Sequence, residues 1–145
     1  MNSTLLKWLK ENEGKIFSSP RKTVFESGAD DFTVIRLDEN KEKVQIDFLN
    51  SATPALPLYF WMFQRCFDYL TANPKRFVQL GAQLQPPYKE DSLEGAIWEE
   101  PHPLNSSYKS SPHVMDIIVI AGLAEYGKTK NLKTGRKVQG AKLKI

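Results

Sequence analysis

Apolar positions recur along this chain with two different periods. Residues 4–12 (TLLKWLKEN) set Leu5, Trp8 and Leu9 at helical spacing, with Lys7, Lys10 and Glu11 on the other side. That spacing predicts a short amphipathic helix, stopped at Gly14. The period then shortens. Residues 22–27 (KTVFES) are rich in β-formers and end at Gly28, which predicts a strand. Residues 32–37 (FTVIRL) and 43–49 (KVQIDFL) flank the polar turn Asp38-Glu39-Asn40-Lys41. In the second of these, Val44, Ile46 and Phe48 alternate with Gln45 and Asp47, the mark of a half-buried strand with one wet face. The expectation is an antiparallel sheet of two or three strands.

Residues 50–57 (NSATPALP) read as a linker, because two prolines interrupt regular structure. Residues 58–70 (LYFWMFQRCFDYL) are apolar nearly all round and predict a helix buried over most of its circumference. Helix-spaced aromatics of this kind pack against one another. Asn73-Pro74 ends that helix. Residues 77–80 (FVQL) predict a short strand and residues 83–88 a turn or loop. Asp91-Ser92-Leu93-Glu94 has the form of a capping box, with Asp91 as cap, opening a helix that reaches about Glu99 and breaks at Pro101. Residues 102–108 are irregular and polar.

Ser111 then caps a further helix with Pro112 at its first position, where a missing amide proton costs nothing. Val114, Met115, Ile117, Ile118 and Ala121 supply its buried face, and His113 and Asp116 point elsewhere. Gly122 ends it. A hairpin follows, with its tip at Lys133-Thr134-Gly135-Arg136 and a return strand over 138–145 that alternates Lys142 and Lys144 with Leu143 and Ile145.

Composition changes this picture in three ways. With 145 residues, 41% of them apolar, and three Trp, five Tyr and eight Phe, the chain can bury a real core and is not a disordered tail. The pattern predicts an α+β fold: a small N-terminal helix and antiparallel β-unit over 1–57, and a second unit over 58–145, sharing one core. No apolar run is long enough to span a bilayer, and the N-terminus lacks a basic-then-apolar signal, so a cytoplasmic protein without a membrane partner is expected. The lone Cys66 rules out a disulfide framework or a cysteine metal site and fits a reducing compartment. Finally, the net charge of +3 is unevenly placed. From Pro101 onward there are eight Lys/Arg and two acids, giving +6; residues 1–100 hold twelve bases and fifteen acids, giving −3. Basic charge gathered into the last third suggests a polyanionic partner, although a solvated Lys-rich hairpin has the same composition.

From residue 58 the order is helix, short strand, helix, loop, helix, strand, basic turn, strand. This order resembles the winged-helix family of DNA-binding domains. The match is carried by residues 67–80 as first helix and strand, 91–99 as second helix, 111–121 as recognition helix and 123–145 as wing, with Ile120-Ala121-Gly122-Leu123-Ala124-Glu125 as the passage from helix to wing. It covers roughly 85 of the 145 residues. The loop over 101–110 is long for a helix-turn-helix, and residues 1–50 lie outside the match. A β-unit leading into a winged helix is also similar to recognition modules attached to prokaryotic restriction nucleases. The resemblance implies double-stranded DNA as partner, in a regulatory or restriction setting, with a homodimer or a fused or partner nuclease compatible with it. Ser110, Ser111 and neighbouring amides would bind a phosphate at the helix N-terminus. Tyr108, Lys109, His113 and Asp116 are the candidates for base edges, His113 foremost. Lys128, Lys130, Lys133, Arg136 and Lys137 would neutralise backbone phosphates, and Arg136 could instead enter the minor groove. The same fold also serves as a protein-binding scaffold, in which case the Tyr59–Trp61 region would form an interface.

Catalytic chemistry has little to stand on. Cys66 lies in a segment that reads as buried. His102 and His113 lack partners at metal-ligand spacing, apart from Asp116 one turn from His113. Asp30-Asp31 with Asp47 is the only loose carboxylate set for a metal-dependent nuclease, and there is no Gly-rich phosphate loop. Neither an enzyme nor a cofactor is expected.

Overall fold

The computed structural model describes residues 1–83 and 85–144. Leu84, within the expected loop over 83–88, and Ile145, the end of the expected return strand, lie outside the described residues. The chain is mixed α+β and divides into two compact units, Met1–Gln64 and Arg65–Ile145. The sequence pattern set its boundary after Pro57, seven residues earlier.

In the first unit, α1 (Ser3–Glu11) is capped by Asn2, whose side chain accepts from the Leu5 amide at 3.0 Å. It buries Leu5 and Leu9, as its spacing requires. Four strands form one antiparallel sheet in the order β1 (Ile16–Phe17), β2 (Phe32–Asp38), β3 (Lys43–Phe48) and β4 (Leu56–Tyr59). Phe32, Val34, Val44, Ile46 and Leu58 are its buried residues.

Two expectations fail here. Residues 22–27 are not a strand. They belong largely to α2 (Pro20–Phe25), which Ser19 caps by accepting from the Arg21 amide at 3.3 Å, with Pro20 in the first turn. A cap and a proline at the helix start outweigh the β-propensity of Thr23, Val24 and Phe25. The sheet has four strands, not two or three, because residues 16–17 pair with β2, and residues 56–59, the end of the supposed linker and the start of the expected helix, pair with β3. Pro57 stands opposite Gln45. β4 is an edge strand, where a missing amide proton is tolerated.

The helix expected over 58–70 is α3 (Phe60–Ala72), and the boundary between the units falls inside it. In the second unit, β5 (Val78–Gln79), α4 (Leu93–Ile97), α5 (Ser111–Ile120), β6 (Ala124–Lys130) and β7 (Lys137–Leu143) follow. The sheet order is β5-β7-β6, antiparallel throughout. Gly127 and Gly140 face each other across the hairpin. A Cβ on Gly127 would come within 2.6 Å of the Phe77 ring, and one on Gly140 within 3.1 Å of the Val78 carbonyl. The glycine pair therefore lets Phe77 and β5 approach the hairpin closely. Among the described residues, no helix is long and apolar enough to cross a membrane.

Both helix caps in this unit are displaced from their expected positions. Ser92, not Asp91, caps α4, accepting from the Gly95 amide at 3.0 Å. Asp91 sits in left-handed backbone (φ 52) and turns its carboxylate to Arg76 and Tyr69. The helix it precedes ends at Ile97, short of Glu99. At α5 the cap position is Ser110, not Ser111, and Pro112 is the second residue of the helix.

Candidate nucleic-acid interface

The hairpin β6–β7 is built by an alternating pattern. Ala124 and Tyr126 point to one face with their partners Leu143 and Ala141, and Ala124, Tyr126 and Ala141 are buried. Lys128 pairs with Gln139 and Lys130 with Lys137 in the same register. Because side chains alternate along a strand, Lys128, Lys130 and Lys137 continue that face beyond the core into solvent. All three are exposed, as is Arg136, and none of the four forms an ion pair among the described residues. Lys133 lies 3.4 Å from Glu90 in a solvent-exposed pair, of the kind that contributes little and exchanges readily. The opposite face is different. There Lys142 lies 3.8 Å from Glu125 and 5.2 Å from the centre of the Phe77 ring.

Asn131 sets the shape of the tip. Its side-chain oxygen accepts from the amides of Lys133 and Thr134 at 2.9 and 3.0 Å. Its own amide donates to the Arg136 carbonyl at 2.9 Å, and the Gly135 amide donates to its carbonyl at 2.9 Å. Its side-chain nitrogen donates to Gln79 at 3.0 Å, tying the tip to β5. Gly135 takes φ 70, a left-handed backbone that glycine adopts without strain. The turn was readable from Thr134-Gly135; the role of Asn131 was not, although an Asn opening a turn is a known signal for side-chain-to-backbone closure.

The α5 half of the expected site is arranged otherwise. Ser110, Ser111 and Asp116 are buried. The carboxylate of Glu94, itself fully buried, accepts from the amides of Ser110 and Ser111 at 3.1 Å each, from the Ser110 hydroxyl at 2.8 Å and from the Trp98 indole at 2.7 Å. The Ser111 hydroxyl stands 3.1 Å from the same carboxylate and 3.1 Å from the Leu80 carbonyl. The positive end of α5 thus already holds an anion, supplied by α4, and a phosphate has no place there. Asp116 does not point away from the core. It accepts from the Tyr126 hydroxyl at 2.6 Å, joining α5 to β6. These findings remove Ser110, Ser111 and Asp116 from any surface contact. Val114, Met115, Ile117 and Ile118 are buried as expected, and Ala121 is only half-buried. Of the base-edge candidates, Lys109 is exposed, while Tyr108 and His113 are half-buried. Tyr108 stands edge-on to Trp98 with ring centres 5.2 Å apart.

The spacing makes Glu94 half of a capping box, but its role in the fold depends on residues sixteen and seventeen positions away. The Arg65 guanidinium donates to the carbonyls of Ile97, Glu99 and Pro101, each at 2.7 Å. This holds the exit of α4, where carbonyls lack partners within the helix. Burial, reinforced by Glu94, pushes the Cys66 thiol far up, which suits an unreactive buried side chain. Of the loose carboxylate set, Asp31 is engaged by Lys22 at 2.6 Å, and Asp47 lies opposite Thr33. Compared with known families, curated proteins and solved structures, the chain finds no significant match.

Proposed function

We propose that this chain is a double-stranded DNA-binding module of the winged-helix kind in which the hairpin, not the helix before it, carries the contact. The observation behind it is the row Lys128, Lys130 and Lys137, with Arg136 beside it, all exposed and without acidic partners among the described residues. Two supports come from the fold and from the charge of the chain. The order α3, β5, α4, α5, β6, β7 with a β5-β7-β6 sheet is the order a winged helix needs. The +6 charge of residues 101–145 against −3 elsewhere would steer the same region toward a polyanion. Base reading by α5 and the residues leading into it shrinks to Tyr108, Lys109 and His113. A mobility-shift assay with random duplex at low salt tests the proposal. Binding at micromolar protein, weakened by Arg136→Ala with Lys137→Ala for every sequence, is expected; no binding at that concentration would sink it.

A second reading, a winged-helix scaffold that binds protein, is favoured by one observation: α5 keeps little surface with which to read a groove. A dimer in solution whose contact buries the hairpin would favour that reading. A role in restriction or in transcription regulation, with a partner nuclease, would be a further specialisation of the DNA-binding reading.

A further inference from the structure

The hairpin tip carries a residue that phosphate contact leaves unexplained. Leu132 is 77% exposed, the most exposed of the large hydrophobic side chains among the described residues. The other residues of its loop from Lys133 to Arg136 are exposed and include two cations. A leucine left in water forgoes the free energy that its burial would release. Nor does the loop let it collapse. The Asn131 side chain accepts from the two amides that follow Leu132, and Asn131 and Arg136 are bonded across the loop base. The backbone on both sides of Leu132 is thereby held, while its side chain stays largely in solvent.

We propose that Leu132 is an apolar wedge that enters the minor groove of duplex DNA and opens one base step, with Lys133 and Arg136 on the phosphates at either side. This rests on the DNA-binding reading above and adds to it a site, a groove and a mechanism. The charge surrounding the leucine selects the partner: five cations, Lys128, Lys130, Lys133, Arg136 and Lys137, lie within ten residues of sequence around one apolar side chain. A minor groove of about 6 Å admits a loop tip but not a helix. Apolar wedges between base steps are a general way to unstack and bend a duplex from that side. A lipid surface fits less well, since one leucine offers too little apolar area to hold a chain on a membrane. The wedge also supplies sequence preference without base hydrogen bonds. Pyrimidine–purine steps unstack most easily, so TA and CA steps would be favoured.

The test uses the whole chain and duplexes carrying 2-aminopurine at a single TA, CA or AA step. Wild type is expected to raise the emission at TA and CA steps. Leu132→Ala is expected to abolish that rise and to weaken binding about tenfold. The dependence of affinity on salt should stay unchanged, because no phosphate contact is lost. Leu132→Phe, a larger wedge on the same frame, should keep the rise. Equal affinity and equal emission for wild type and Leu132→Ala would overturn the wedge while leaving DNA binding intact. Failure of wild type to bind any duplex would remove both. Leu132-dependent binding to phosphatidylserine–phosphatidylcholine vesicles, with no emission change on DNA, would overturn the wedge in favour of a lipid surface.

Discussion

Glu94 carries a fully buried carboxylate in the interior of the second unit. It is held by the Trp98 indole, two backbone amides and the Ser110 hydroxyl. Removing it leaves buried donors without an acceptor and the α5 N-terminus without its anion. Glu94→Ala should therefore cost about 3 kcal/mol or more, read as a lowered urea midpoint. Glu94→Gln should also destabilise, because its amide NH2 would face donors where only acceptors fit. Asp91 gives a different kind of prediction. Its pairing with Arg76, at 2.7 and 2.6 Å, is the main cause that holds its carboxyl below the ordinary 3.8. The folded chain then takes up this proton less readily than the unfolded one. The stability so contributed is complete above the ordinary carboxylate range and is lost as pH falls through the lowered folded value. Melting followed by circular dichroism over roughly pH 2 to 7 should show a fall on acidification below about 4. Asp91→Asn should be less stable at neutral pH and lose part of that acid limb. Asp31 and Asp38, also lowered by hydrogen bonds, would keep the rest.

At the scale of elements, the same start signal appears twice. Ser19-Pro20 and Ser111-Pro112 both lie at helix beginnings. The second was legible because an apolar run follows it. The first was hidden by Thr23, Val24 and Phe25, whose β-propensity is a weak prior that a cap and a proline override. Strand β4 was hidden for the opposite reason, since a proline usually argues against a strand and only an edge position excuses it. The hairpin shows what spacing alone leaves out. Its alternation and its Gly135 turn can be read along the chain. The facing pair Gly127 and Gly140 acquires meaning only when Phe77 and β5 are seen against it. Gly140→Ala would bring a methyl to 2.9 Å from the Thr129 side chain and 3.1 and 3.2 Å from two backbone carbonyls, which a sheet cannot easily move. A loss of about 1–3 kcal/mol is expected, measured by thermal unfolding.

For the molecule as a whole, the uneven charge is the property with the clearest consequence. If the hairpin lies along a duplex, four to five phosphates are neutralised by Lys128, Lys130, Lys133, Arg136 and Lys137. The logarithm of the association constant should then fall with the logarithm of salt concentration with a slope of about −4. Each alanine in place of Lys128, Lys130, Arg136 or Lys137 should flatten that slope by about 0.9. Lys142 is the internal control: held near Glu125 and Phe77 on the other face, it should leave the slope unchanged when replaced. Titrations at several salt concentrations, followed by fluorescence anisotropy, measure all of these.

The amino-acid sequence by itself determined the local elements with strong periodicity or punctuation, α1, β2, β3, α3 and the basic hairpin, and it determined where the charge lies. Those properties need only neighbours within a few residues. The tertiary structure decided which polar side chains are surface and which are interior. Ser110, Ser111 and Asp116 read as polar candidates on a helix, and their partners Glu94 and Tyr126 stand ten to seventeen residues away. Burial of a polar group is settled by whether a partner arrives from elsewhere in the fold, and no local pattern carries that information. Lys128, Lys130 and Lys137 need no such partner to stay in water, so their exposure can be read directly from the chain.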